Sequence, residues 1–180
     1  MRRFILAKKG SEAMFREMRR KNQALTKEEC QAILQHGSSG VLALAGDAGY
    51  PYAVPMSYLF DEGKIWFHCA KSGHKLDAIA QNGKASFCVI EEDKVAPREY
   101  TTYFRSVIVF GQMRILHDEG EKRRAIEKLA SKYSPGESEA ERQRAIQKEY
   151  SALCMLLGLT IQHISGKEAT ELARRKRAHQ

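Results

Sequence analysis

The segment from Gly49 to Lys75, GYPYAVPMSYLFDEGKIWFHCAKSGHK, constrains the fold more than any other part of the chain. It reads as a long strand over Tyr50–Phe60, a tight Asp61-Glu62-Gly63 turn, and a second strand over Lys64–Cys69. Pro51 and Pro55 cannot donate to a ladder, so the first strand belongs at an edge, a bulge or a barrel rim. The second strand ends in Phe67-His68-Cys69-Ala70 and runs into a glycine-containing loop with Lys75. An apolar wall, a histidine, loop amides and a lysine suit an aromatic, phosphorylated ligand.

Four more stretches have strand character: Val41–Ala45, Lys84–Glu91, Tyr100–Leu116 and Leu159–Ile164. Gly111 interrupts the longest of them as a bulge would. Thr26-Lys-Glu-Glu29 spells a capping box ahead of Cys30, Ile33 and Leu34, which predicts a helix stopped by Gly37. The Gly37–Gly40 GSSG is read as that helix's exit, since no strand precedes it as a phosphate loop requires. A short helix is expected from His74 to Gln81, with Leu76 and Ile79 facing inward and Asn82-Gly83 ending it. Glu92–Glu99 reads as a loop. Asp118 with Glu121 caps a helix to about Tyr133, and a second helix follows Pro135-Gly136 to about Leu157. The start of the chain admits a short helix over Ser11–Arg20. With no regular β-α alternation, a parallel doubly wound sheet is disfavoured. Six strands joined mostly by hairpins, with one short helix inserted, predict a mainly β fold: a closed antiparallel barrel with peripheral helices.

At 180 residues and 43% apolar, the chain suffices for one domain with a real core, or for a compact domain plus a helical appendage. No run of 18 apolar residues exists, which excludes a helical membrane span. In MRRFILAKKG only Phe4–Ala7 is apolar, too short for a secretory signal, so a cytoplasmic protein is expected. Cys30, Cys69, Cys88 and Cys154 form no CxxC pair and are expected as reduced thiols, with Cys88 in the core. His68, Cys69 and His74 match no standard ligand spacing, and no metal is expected. The net charge of +8 gathers at the ends: Arg16, Arg19, Arg20 and Lys21 follow Arg2, Arg3, Lys8 and Lys9, while Arg174, Arg175, Lys176 and Arg177 close the chain. No aromatic residue interleaves with the closing run, so nucleic acid is not the expected partner. The organisation reads as a basic arm over 1–25, a domain over 26–168 with a helical insertion at 118–157, and a basic tail over 169–180.

Four motifs in this order resemble the FMN-binding split-barrel superfamily that includes the pyridoxamine 5'-phosphate oxidases. They are Gly49–Pro55, Ile65–His68 with Gly73 and Lys75, Tyr103–Gly111, and Ile164–Glu168. Within the superfamily the chain most resembles the nitroimidazole-resistance (Nim-type) flavoproteins. The resemblance covers Thr26 to Glu168. It implies a six-stranded antiparallel split barrel that forms a homodimer with FMN at the interface. It implies that Pro55, Met56 and Ser57 line the flavin ring, and that His68, Cys69, Ala70 and Lys75 contact the ring, ribityl chain or phosphate. Arg105 and Ser106 would approach from the long strand, although Arg105 is equally suited to a carboxylate across the dimer.

The residues agree in part. Lys75 at a helix start behind Gly73 suits a phosphate, the alternative being a surface lysine. His68 could be a satisfied buried histidine, yet beside a flavin it can donate a hydrogen bond or a proton. Cys69 reads as a small pocket filler. Trp66 reads as core, and Tyr100, Tyr103, Phe104 and Phe110 as core or dimer contacts. The expected function is an FMN-dependent reductase that takes hydride from NAD(P)H and reduces a small electron-poor acceptor such as a nitroimidazole, with His68 as the catalytic residue. Two alternatives stand: a flavin- or haem-binding module without turnover, and a pyridoxamine phosphate oxidase. The ending Ala173–Gln180 departs from the arginine- and histidine-bearing motif of the true oxidases.

Overall fold

The computed structural model describes residues 15–152 and 155–178, and its seven strands form one antiparallel sheet. They are β1 (Ser39–Ala45), β2 (Pro51–Ser57), β3 (Leu59–Asp61), β4 (Lys64–Cys69), β5 (Lys84–Ala96), β6 (Thr101–Ile115) and β7 (Met155–Glu168). Their order across the sheet is β2-β1-β5-β6-β7-β4-β3. β2 and β3 therefore occupy opposite edges, yet Tyr58 alone separates them in sequence. One residue spans only about 3.5 Å, so the sheet must curl until its edges meet. The result is a split barrel, joined at one corner by the chain itself.

The sequence predicts six strands, and the seventh arises because the expected Tyr50–Phe60 strand breaks at Tyr58. Pro51 and Pro55 lie on β2, which is an edge strand, where a missing N–H costs no ladder bond. Tyr58 is fully buried, and its ring packs edge-on to Phe87 with centroids 4.9 Å apart. Its hydroxyl donates to the Leu34 carbonyl at 2.8 Å. Gly37 must be small here, because a Cβ would lie 2.5 Å from that hydroxyl.

Five helices surround the barrel: α1 (Lys27–His36), α2 (His74–Gln81), α3 (Glu119–Tyr133), α4 (Glu139–Ala152) and α5 (Thr170–Ala178). α1 begins with the predicted capping box, in which Glu29 N–H donates to Thr26 Oγ1 at 3.2 Å and Thr26 N–H to Glu29 Oε2 at 2.8 Å. Its Ile33 and Leu34 join the barrel interior with Leu42, Phe67, Phe87 and Val109. Burial pushes the Cys30 thiol up to about 11, so it is protonated and inert at neutral pH. α3 is capped by Asp118 as expected, Glu121 N–H donating to its carboxylate at 2.7 Å. A second apolar cluster lies outside the barrel, where Ala125 and Leu129 of α3 cover Leu59, Trp66, Leu116 and Leu156.

Four expectations are corrected. β5 continues to Ala96, where a loop was expected, because the 91–104 hairpin runs past the pairings of β1 and β7. From Glu91 to Arg98 its residues are exposed or half-buried and give no apolar alternation to read, and Tyr100 at its tip is 98% exposed, not core. β7 starts at Met155, where helix was expected, because Leu156 faces the outer cluster and Leu157 the barrel interior. A short run apolar on both faces does not distinguish strand from buried helix. The segment read as a basic tail is α5, anchored by Ala173 and by Ala169 N–H donating to the Phe104 carbonyl at 2.9 Å. The helix admitted over Ser11–Arg20 is not formed over residues 15–20, and its first four residues lie outside the described ones. At Gly111 the β6–β7 register shifts, and a Cβ there would lie 2.1 Å from the Thr160 carbonyl. Among the described residues no helix is long and apolar enough to cross a membrane.

The corner is fastened from outside. Tyr58 N–H donates to the Tyr133 hydroxyl at 2.8 Å, and that hydroxyl donates to the Tyr58 carbonyl at 2.7 Å, with the Ser38 carbonyl as a second acceptor. Lys132 Nζ donates to the Gly37 carbonyl at 2.6 Å and the Tyr58 carbonyl at 3.0 Å, and sits 4.3 Å over the Tyr58 ring. Burial holds the Lys132 pKa below the usual lysine value. Tyr133→Phe strands the Tyr58 N–H and is expected to lower unfolding stability by about 1–2 kcal/mol. Urea denaturation measures this, and a loss below about 0.5 kcal/mol, the scatter of surface substitutions, contradicts it.

Candidate functional site

The split leaves two strand edges near one another. Among the described residues β2 pairs only with β1, so its far edge carries no strand there. β3 covers β4 only over Lys64–Trp66, so Phe67 and His68 have no strand partner on that side among the described residues. Edge amides and carbonyls of this kind suit a planar ligand with hydrogen-bonding edges. Ser57 from β2 and His68 from β4 meet in a cavity of about 410 Å³. α3 and α4 form its roof, contributing Ile126, Leu129, Ala130, Tyr133 and Ile146 among others. Burial pushes the Tyr133 phenol up, so at neutral pH it is an uncharged hydrogen-bonding group at the cavity's polar end.

Strand alternation sorts the expected residues. Pro55 and Ser57 face outward from β2, while Met56 points into the barrel core. His68 is exposed on the outer face of β4, and Cys69 packs against the interior. Ala70 is exposed just beyond. Lys75 is half-buried in the first turn of α2, behind Gly73, whose φ of 126° requires glycine. His74 stacks on Tyr52 with centroids 4.1 Å apart and lies 3.4 Å from Asp47. That fixes the start of α2 beside the first half of β2, while Ser57 marks its end, five residues and roughly 17 Å away. The trio His68, Cys69 and His74 is thus dispersed, and no metal-holding group of three occurs among the described residues.

Arg105 and Ser106 lie elsewhere in the chain. Arg105 is opposite Glu168 on β7, while His68 is opposite Leu156, twelve residues or roughly 40 Å of strand away. The Arg105 guanidinium is held by its own subunit's carboxylates: Glu91 at 3.0 Å, Glu168 at 3.5 Å and Glu29 at 3.6 Å. Ser106 lies between Ile90 and Lys167.

The roof residues escape sequence reading because Ile126, Leu129, Ala130 and Tyr133 spell an ordinary amphipathic stripe. The one hint is an aromatic hydroxyl following a lysine at a helix end. The outer sheet face beside the site is apolar: Pro55, Val41, Cys88 and Ile108 pair in a row across β2, β1, β5 and β6. Val41 and Ile108 are 39% and 40% exposed. One row along, Phe15 stacks on His163 at 4.9 Å and contacts Phe110.

A family model described as pyridoxamine 5'-phosphate oxidase matches residues 26–168. The chain belongs to that family. Solved structures share the fold at low identity. A candidate 5-nitroimidazole antibiotic resistance protein from Bacteroides thetaiotaomicron is 17% identical, with 81% of this chain and 86% of that one covered and a TM-score of 0.66. A FAD-binding protein from Mesorhizobium loti is 22% identical, with coverage of 82% and 98% and a TM-score of 0.60. A FAD and heme binding protein from Mycobacterium smegmatis is 24% identical, with coverage of 83% and 74% and a TM-score of 0.68. No curated protein matches the chain.

In this member of the pyridoxamine 5'-phosphate oxidase family, Arg105 is a structural residue by its contacts. Glu168 is only 5% exposed, and its carboxylate lies 3.5 Å from that guanidinium. Arg105→Met is expected to cost about 1–3 kcal/mol, less than a fully buried pair because Arg105 itself is 28% exposed. Glu168→Gln should cost a similar amount and the double variant less than the sum, read by denaturant unfolding. Strict additivity contradicts the pairing.

Proposed function

We propose that this protein binds a flavin, FMN in particular, in the split between β2 and β4, and reduces a small electron-poor acceptor there at the expense of NAD(P)H. The observation that carries the reading is the meeting of Ser57 and His68, from two unpaired strand edges, in one cavity. The donor set fits the cofactor. Free edges and Ser57 serve the hydrogen-bonding rim of the ring, Pro55 gives it an apolar wall, and Ala70 leaves room beside it. Lys75 and the first amides of α2 suit a phosphate. The roughly 17 Å between Ser57 and the start of α2 gives a ring, a ribityl chain and a phosphate room along one strand. The names of the Mesorhizobium loti and Mycobacterium smegmatis proteins, both FAD-binding, support a flavin.

A bound flavin would supply hydride transfer between nicotinamide and acceptor. The chain's own residues do the rest. His68, facing the cavity, donates a hydrogen bond or a proton to the acceptor as negative charge develops. Tyr133 positions the same end, and the α3–α4 roof shields the reacting atoms from water. The apolar row Pro55–Val41–Cys88–Ile108 adjoins the site and suits a second copy of the chain, making a homodimer with the cofactor at its boundary. Arg105 and Ser106 could reach a cofactor only across such a boundary. The likeness to the Bacteroides protein favours a nitroimidazole as acceptor. A phosphorylated vitamer is a poorer fit, because no lysine or arginine lines the cavity.

A second reading, a flavin- or haem-binding module without turnover, draws on the Mycobacterium smegmatis protein, named for both FAD and heme. Absorbance of the purified protein separates the readings. Bands near about 375 and 450 nm that bleach on anaerobic NADH or NADPH are the expected result. His68→Ala should keep the bands and lose about 10²–10⁴-fold in acceptor reduction. Flavin bands that never bleach, or a Soret band, favour the module. A colourless protein that takes up no added FMN overturns both.

A further inference from the structure

The cavity at the split has two chemically distinct ends. Ser57, His68, Tyr133 and Ser134 line the near end. The far end is aliphatic, with Ile126, Leu129 and Ala130 from α3 facing Ala145 and Ile146 from α4. Apart from the imidazole, none of these side chains is ionisable near neutral pH. At about 410 Å³ the space falls within the roughly 300–1,000 Å³ range of pockets for drug-sized molecules, well beyond the needs of one five-membered ring.

The aliphatic end is not spare core. On the α3 side Leu129 is buried in the outer cluster with Ile126 packed against it, whereas Ala145 and half-buried Ile146 of α4 belong to neither apolar cluster among the described residues and line the cavity. α4 carries many charges, including Glu139, Glu141, Arg142, Arg144 and Lys148, yet none of these lines the space. A carboxylate or phosphate pushed to this end would lie against aliphatic side chains and find no cation among the described residues that line it. An alkyl group there would lose only water contact.

We propose that the α3–α4 end is the subsite for an apolar substituent on the acceptor. The substrate class is then an uncharged amphiphile, with a polar ring at His68 and an alkyl arm between Ile126 and Ile146. This deepens the reading of the split as a flavin site and rests on it for the acceptor's identity. Binding of the arm needs only the roof and β4.

Trp66, the chain's single tryptophan, reports on this end without any flavin. It lies two residues before His68, roughly 7 Å along the same face of β4, and packs in the cluster that contains Leu129. Nitroaromatic ligands quench tryptophan emission. Titration of cofactor-free protein with 1-alkyl-2-methyl-5-nitroimidazoles, from methyl to butyl, should give binding that tightens about three- to fourfold per methylene. A carboxylate-terminated analogue of the same length should bind at least about tenfold more weakly. Ala130→Phe, which fills the arm's space from α3, should flatten the chain-length dependence, and Ile146→Phe should repeat this from α4. Thermal melting establishes that both variants are folded. Affinity independent of chain length, or an unchanged slope in both folded variants, overturns the subsite. Failure to take up flavin bears on the cofactor alone and leaves this slope to be read by itself.

Discussion

The structure depends on one residue's worth of chain. β2 and β3 sit at opposite edges of a seven-stranded sheet, and Tyr58 is all that joins them. That connection forces the sheet to curl, and it also prevents the two edges from pairing along their full length. A peptide unit that belongs to neither ladder must find other partners when buried. It finds them on α3, whose Tyr133 and Lys132 bind the Tyr58 amide and carbonyl. The barrel is thus closed covalently at one corner and held there by a helix from the insertion.

The same constraint generates the site. Because the edges meet only at the corner, β2 and the end of β4 have no further strand beside Ser57 and His68 among the described residues. Because α3 must reach Tyr58, its apolar stripe passes over the outer face of β4 and roofs the space. Tyr133 therefore has two duties, fastening the corner and lining the cavity's polar end. Stability and ligand geometry are coupled through it.

Much of this was legible in the sequence where a local chemical rule governs the outcome. Thr26 and Glu29 fix a helix start whatever surrounds them, and Asp118 does the same for α3. Pro51 and Pro55 mark an edge because proline cannot serve a central ladder. Gly111 marks a register shift because another strand's carbonyl occupies the space of a Cβ. The failures share a different cause. The Tyr58 break, the projecting 91–104 ribbon and the strand at Met155–Gly158 are set by neighbours distant in sequence. No local period encodes a strand that is apolar on both faces or polar on both faces. In the candidate site, strand alternation turns Met56 and Cys69 inward and Ser57 and His68 outward, a sorting that the motifs do not spell out. The roof was not legible, since a stripe facing a cavity reads like a stripe facing core. Arg105 shows the reverse: a motif residue whose charge is already matched by Glu29, Glu91 and Glu168.

The central claim is that the split between β2 and β4 holds a flavin next to His68. Histidine-selective nitrogen-15 NMR tests it directly, with the His68 signal assigned by His68→Gln. On titration with FMN the His68 imidazole resonances should move and saturate with the cofactor, while those of His36 on α1 stay in place. FMN binding that saturates with His68 unmoved would put the cofactor elsewhere and contradict the account.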